Sequence, residues 1–330
     1  MGVKLKEIIT AKQIDLKSLK GKKIGIDVSN MLYQFISSIR QPDGTPLMDS
    51  RGNVTSHLMG LSTRIPNLIE QGIKLCFILD GVPPELKSQE IKKRAERKEI
   101  AKEKLSNAKT AEEKLKFVKQ TIKIEDKVME ETKEFLKAMG QPIIQSISEA
   151  DAQLAYMNQE GDIWACATTD IDCLIHGGPR IIKNLTVSQR KKIKGTYVKV
   201  YPEIVELKYT LKKLKINQDQ LMALSILVGT DYNPGGVKGI GPKTALKLVQ
   251  QHKKFDEIFK NVEADFNWKK IYATFKNMPI IKNYQLKWEA PNIAKITKIL
   301  SEREFSEDRI NKIIEKVSEK KQKNLDKWFN

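Results

Sequence analysis

Three short apolar runs constrain this chain more than any other feature. They are Lys23-Ile24-Gly25-Ile26-Asp27, Leu75-Cys76-Phe77-Ile78-Leu79-Asp80 and Ile163-Trp164-Ala165-Cys166-Ala167-Thr168, each bounded by polar or Gly residues. They read as buried strands. Helical stretches lie between them, from Asn30 to Ile39 and from Ser56 to Glu70. That alternation predicts an α/β fold with a mostly parallel central sheet flanked by helices. Two of the strands run directly into an aspartate, and the third stops just before Thr169-Asp170. Open α/β sheets bind ligands beyond the carboxyl ends of their strands. An acid at all three ends is hard to attribute to folding alone.

The charge balance narrows the partner. Lys and Arg number 59 against 41 Asp and Glu, a net charge of +18 over 330 residues. With 40% hydrophobic residues the chain can still bury a core, so the positive field belongs to a folded protein. A polyanion is its natural partner. The longest apolar run, Leu221 to Gly229, is too short to span a bilayer, so no membrane partner is expected. Met1-Gly2-Val3-Lys4-Leu5-Lys6 has no apolar signal core. Cys76, Cys166 and Cys173 make no disulfide framework and no C-x-x-C metal site. The expected setting is a reducing, cytoplasmic one.

Past Pro83-Pro84, a stretch from Glu85 to about Glu134 is packed with Lys, Arg and Glu, with few apolar residues. Two readings stand: a solvated helical hairpin, or a basic arm over a substrate. Lys87 and Arg94 are seven residues apart and share one helix face. Val128 to Met139 reads as an amphipathic helix stopped at Gly140 and Pro142, and Ser148 opens another.

Seven acids look out of place in so basic a protein: Asp27, Asp80, Glu149, Asp151, Asp170, Asp172 and Asp231. They follow strand ends or sit at helix starts and loops. Converging, they would need cations, and hard oxygen ligands in that number suit two Mg²⁺ ions, with Mn²⁺ able to substitute. Ions about 4 Å apart can hold a scissile phosphate and activate water. Each acid also has a plain structural reading. Asp27 and Asp80 could be polar strand ends, and Asp151 part of a capping box. Asp170 or Asp172 could be a helix cap, and Asp231 a turn former.

The run from Gly235 to Thr244 joins two helices and nearly matches a nucleotide phosphate loop. Pro242 separates Gly241 from Lys243, and a helix precedes the run, so the nucleotide reading fails. The glycines instead let the backbone approach a phosphodiester chain, with helix-start amides aimed at phosphates. Gly239 and Gly241 supply the close approach and Lys238, Lys243 and Lys247 the charge. An ordinary helix–turn–helix packing unit is the alternative.

The chain resembles the flap structure-specific endonucleases of archaeal type, in the 5′-nuclease superfamily. The resemblance rests on Ile26-Asp27-Val28-Ser29, Tyr33-Gln34-Phe35, Leu79-Asp80-Gly81-Val82-Pro83-Pro84-Glu85-Leu86-Lys87, Ser148-Glu149-Ala150-Asp151-Ala152-Gln153, Asp170-Ile171-Asp172, Gly229-Thr230-Asp231-Tyr232-Asn233 and Gly239-Ile240-Gly241-Pro242. It implies that the seven acids hold metal, although the family usually has Glu where this chain has Asp151. It implies that Lys87 and Arg94 face the scissile phosphate, and that residues 84–134 form a helical arch. Tyr33 would stack on a base at the junction, with Arg40 near it. Residues 217–251 would form a helix–two-turn–helix grip on duplex DNA, often with K⁺. The single nuclease domain would span 1–320. A tail over 321–330 would bind a sliding clamp of the proliferating cell nuclear antigen type through Gln322, Leu325, Trp328 and Phe329. The last three fall on one face of a short helix with nothing of its own to pack on.

The resemblance implies a monomer that hydrolyses branched DNA at the base of 5′ flaps, with 5′-3′ exonuclease activity, in replication and repair. Two alternatives remain: a non-catalytic clamp-associated junction adaptor, which needs the grip and tail but not the acids, and a related exonuclease or bubble-cutting nuclease.

Overall fold

The computed structural model describes residues 3, 5, 7–108, 110, 113, 117, 118, 121, 124–186, 190–193 and 196–318. Its strands, in chain order, are β1 (Lys12–Gln13), β2 (Lys23–Asp27), β3 (Lys74–Leu79), β4 (Ile143–Gln145), β5 (Ala165–Ala167), β6 (Arg180–Lys183), β7 (Arg190–Ile193), β8 (Thr196–Lys199) and β9 (Glu203–Glu206). Seven form one sheet in the order β1-β9-β6-β5-β2-β3-β4, and β7 with β8 makes a separate hairpin. The five strands from β6 to β4 are parallel, whereas β9 and β1 add antiparallel at one edge. The mostly parallel sheet expected from the alternation is therefore present.

Strand periodicity builds the two sides of the core. Leu75, Phe77 and Leu79 of β3 join one cluster, with Phe35, Leu58 and Phe135. Cys76 and Ile78 face the other way, among Leu154, Met157 and Leu224. A Cβ on Gly25 would lie 2.5 Å from the Leu154 side chain, so the missing methyl is what lets helix Ala150–Gln159 sit directly on β2.

Strand order positions the site. The chain runs from β2 outward to β3 and β4, then returns to the opposite side of β2 for β5 and β6. That reversal makes a crevice at the carboxyl ends of β2 and β5, the usual place for a ligand in such sheets. Register keeps the ends level, since Asp27 pairs with Ile78, Ile26 with Ala167 and Leu79 with Gln145.

Helix Ser56–Glu70 spans the expected residues. Helix Val28–Ser38 begins two residues before the expected Asn30, because the Asp27 carboxylate accepts from the Asn30 amide at 2.9 Å and caps it. The basic stretch after Pro84 divides. A short 3-10 turn, Glu85–Lys87, leads into helix Ser88–Ser106, whose Ile91 and Ile100 are exposed. Helix Asp126–Ala138 instead buries Val128, Thr132, Phe135 and Leu136. The stretch assigned to the arch through residue 134 thus already includes a core helix.

Helix Gln218–Val228 is buried along nearly its whole length and opens on a capping box between Asn217 and Gln220. Helix Pro242–Gln251 buries only Ala245 and Val249. Among the described residues, no helix is long and apolar enough to cross a membrane.

Candidate active site

The acids meet at the crevice, each brought by a different segment. Asp27 closes β2, and Asp80 follows β3. Glu149 stands just before the helix entered from β4, with Asp151 in its first turn. Asp170 and Asp172 follow β5, and Asp231 opens the turn after helix Gln218–Val228. Their fields overlap. Burial, with the charges of Asp80 and Asp170, pushes Asp27 up to about 8, against the relief of the Asn30 amide and Lys87. Burial and Asp170, Asp231 and Glu149 push Asp172 up to about 7. Asp151 is driven well above the carboxylate range by burial, Cys173, Asp27, Asp172 and Asp170. So much unfavourable charge in one crevice marks a functional site.

Most of the plain structural readings do not describe these side chains. Asp27 is both a cap and a member of the cluster. Asp80 Oδ1 accepts from the amide of Ala150 at 2.9 Å, so Asp80 satisfies the helix start that Asp151 was expected to cap. Asp151 accepts from the Cys173 thiol at 3.0 Å. Asp172 is the first residue within its short helix, not the residue before it, so it does not cap that helix. Thr230 and Asn233 order the turn near Asp231: Asn233 Oδ1 accepts from the Thr230 amide and hydroxyl at 3.0 and 2.7 Å.

Two cations enter the cluster. Lys87 Nζ pairs with Glu149 Oε1 and lies 3.2 Å from Asp231 Oδ2. Arg94 Nη2 donates to the same Asp231 oxygen at 2.7 Å. The residues expected to share one face therefore meet on one carboxylate. Asp231 is held below the usual carboxylate range: burial opposes this, but Lys87 and Arg94 outweigh it.

Among the described residues, no three His, Cys, Asp or Glu side chains stand placed to hold one metal ion. The carboxylates are engaged by Lys87, Arg94, Tyr232 and Cys173 instead. The donor set still fits hard divalent ions, because it is all oxygen and its charge demands cations, with the Lys87 ammonium lodged between two carboxylates as a stand-in.

Several residues of the site carry little sequence signal. Asn30 donates to Thr169 Oγ1 at 2.9 Å and Asp170 Oδ2 at 3.5 Å, and Gln34 donates to Asn30 Oδ1 at 2.5 Å. Buried Glu90 takes the Arg94 Nε–H at 2.9 Å. Cys173 and Tyr232 hold acids, and Tyr232 donates to Glu149 Oε2 at 2.5 Å. Only Asn30 and Glu90 have even a positional hint, beside a strand-end acid and a turn before Arg94.

The remaining expected DNA contacts lie outside the pocket. Tyr33 is 48% exposed, which rules out a core aromatic. Arg40 folds back on its own loop, donating to the carbonyls of Ser37 at 3.2 Å and Gly44 at 2.5 Å, while its Nη2 is buried without a partner. Lys238, Lys243 and Lys247 are exposed, as are Gly239 and Gly241. A Cβ on either glycine would meet nothing within 4 Å, and Gly239 has φ +80°. The turn thus presents bare backbone outward. Gln322, Leu325, Trp328 and Phe329 lie outside the described residues.

The XPG N-terminal domain matches residues 1–101 and the XPG I-region residues 140–231. Between them they contain all seven acids with Lys87 and Arg94, and they define a nuclease of the XPG class. Flap endonuclease 1 of Pyrococcus horikoshii is 45% identical over 340 residues, covering 100% of this chain and 98% of its own. That of Staphylothermus marinus is 44% identical and covered in full on both sides. Among solved structures, flap endonuclease-1 from Methanococcus jannaschii matches with TM-score 0.78 and 37% identity, over 96% of this chain and 98% of that one. The catalytic core of Rad2 in complex with DNA substrate shares the fold at TM-score 0.69 and 22% identity, over 93% and 96%. The chain belongs to the flap endonuclease 1 family.

Proposed function

We propose that this nuclease cuts DNA at the base of 5′ flaps, leaving a 5′-phosphate and a 3′-hydroxyl, with two Mg²⁺ ions that Mn²⁺ can replace. The observation that carries the reading is the meeting of seven carboxylates from separate strand ends with the two cations Lys87 and Arg94. Asp27, Asp80, Glu149, Asp151, Asp170 and Asp172 would hold the ions, and Asp231 would add its charge to the second site. Bound there, the ions polarise water and offset charge on the leaving oxygen. Lys87 and Arg94 exchange their carboxylates for the scissile phosphate and neutralise it as charge builds. Asp151 reaches less far than a Glu and is the ligand most open to adjustment.

Selectivity comes from shape. Tyr33 offers an exposed ring to a base at the junction, with Arg40 at the edge of the same surface. Gly239 and Gly241, with Lys238, Lys243 and Lys247, grip the duplex by its phosphates, aided by K⁺ in the turn. The helix Ser88–Ser106 forms one wall of the arch. Residues 321–330 dock a sliding clamp, and the enzyme acts as a monomer on branched DNA. None of these groups reads base edges, so cleavage is sequence-independent and binding falls steeply with salt.

The deciding experiment cuts a 5′-flap substrate with and without Mg²⁺, comparing wild type with Lys87→Ala and Asp231→Ala. Mg²⁺-dependent cutting at the junction, lost in both variants, supports the reading. Cutting that persists in Asp231→Ala without divalent ion overturns it. Deleting residues 322–330 should abolish stimulation by a clamp, read as the ratio of rates with and without it.

A further inference from the structure

The segment that opens the duplex-gripping turn also reaches into the carboxylate pocket. Tyr232 directly follows Asp231 and is 6% exposed. Its hydroxyl donates to Glu149 Oε2 at 2.5 Å, while Lys87 takes Oε1 of the same carboxylate. The phenol is anchored from both sides. Its ring packs edge-on against Phe275, with centroids 4.9 Å apart. Its amide donates to Thr230 Oγ1 at 3.1 Å, and Thr230 is bonded to Asn233. Asn233 in turn donates to the carbonyl of Ile226 at 2.7 Å, in the first helix of the grip. A glutamate has several rotatable bonds, whereas this phenol has one place to stand.

We propose that Tyr232 is a positioning residue: it holds Glu149 Oε2 so that Oε1 faces the ion pocket, and it ties that carboxylate to the turn that grips duplex DNA. The inference rests on the two-ion reading above. Charge-assisted bonds to a ligating carboxylate set its orientation, and losing such a partner typically costs about 10–100-fold in metal affinity. No other polar group is placed on Oε2 among the described residues, so nothing would replace the phenol.

Tyr232→Phe removes one oxygen and keeps the ring against Phe275. Mn²⁺ binding to the full-length, DNA-free protein, followed by electron paramagnetic resonance, should weaken about 10-fold or more. The Mg²⁺ midpoint for flap cleavage should rise by a similar factor, while DNA affinity without divalent ion holds. In a Glu149→Gln background the same change should add no further loss, because the two residues act as one unit. Mn²⁺ affinity and Mg²⁺ midpoint within twofold of wild type, or losses that add across the two backgrounds, would overturn the proposal. A thermal midpoint that drops in Tyr232→Phe is handled by that cycle, since a purely structural loss appears in both backgrounds. Wild-type protein that binds no Mn²⁺ would instead remove the two-ion reading, and the inference with it.

Discussion

The strand-end pocket and the glycine turn are built in opposite ways. The pocket collects charged side chains from segments far apart in the chain, buries them, and needs cations and long-range hydrogen bonds to keep them there. The turn is contiguous. Its bonds run within itself and to the adjoining helix, as between Val237 and Leu227, and its lysines stand in solvent with no ion pair among the described residues. Chemistry that concentrates charge has to be assembled against electrostatic cost. Grip on a phosphate backbone needs only a local conformation and a surplus of positive charge.

The contrast is sharpest for Asp170→Ala. Losing a pocket carboxylate should lower flap cleavage on the order of a thousandfold, while DNA binding without divalent ion stays the same or tightens. Cleavage that survives would mean that the cluster is incidental, and a non-catalytic junction adaptor would then fit better. Lys87→Ala should lower single-turnover cleavage about 10²-fold, again with little change in DNA affinity. A loss confined to affinity would move Lys87 to the grip side of the comparison.

Replacing Lys238, Lys243 and Lys247 together by Ala should act in the opposite sense. Affinity should fall, and the slope of log affinity against log salt should flatten by about 0.9 for each phosphate that is no longer neutralised. An unchanged slope would show that the turn does not meet phosphates.

The pocket's cost should also be visible in stability. Asp27 titrates near 3.8 when unfolded and about 8 when folded, and Asp172 about 7. The folded state holds these protons more tightly. Their stabilising contribution is therefore complete below pH 3.8 and is lost as pH rises to 7 and then 8. The metal-free protein should melt lower at about pH 8 than at about pH 5. Asp27→Asn should raise its melting temperature at both pH values and clearly more at about pH 8 than at about pH 5, since the neutral side chain has no proton to gain and can still cap the Asn30 amide. Equal shifts at both values, by calorimetry, would show that burial of this charge costs nothing. The smallest effect belongs to the turn. Gly239→Ala forces φ +80° on a residue with a Cβ, so it should cost about 1 kcal/mol and weaken duplex binding a few-fold, with no steric clash to add to it.

The same contrast explains what was legible in the residues. The parallel sheet, helix Ser56–Glu70 and the strand-end acids Asp27, Asp80 and Asp170 are legible because local pattern carries them: an apolar run, a periodic face, a carboxylate at a strand end. Tyr232 could not, because its meaning depends on Glu149, 83 residues away. Cys173 is hidden for the same reason, since its thiol matters only through Asp151. Helix Asp126–Ala138 is legible as the amphipathic run from Val128 to Met139, and only the end of the basic stretch, set at Glu134, overlaps it, because charged residues on its outer face continue the same composition. For Arg40, only the family resemblance places a positive charge near Tyr33, and the exposure of that tyrosine comes from the structure. The carbonyls of Ser37 and Gly44 that fold around Arg40 exist only once the chain has turned at residues 41–44.

The order of the strands has a further consequence. β5 follows β3 and β4 in the chain yet lies on the other side of β2 in the sheet, and Asp231 comes later still in the sequence. No stretch that stops short of Asp231 contains the whole acid set. The pocket is therefore complete only when segments some two hundred residues apart in the chain have come together.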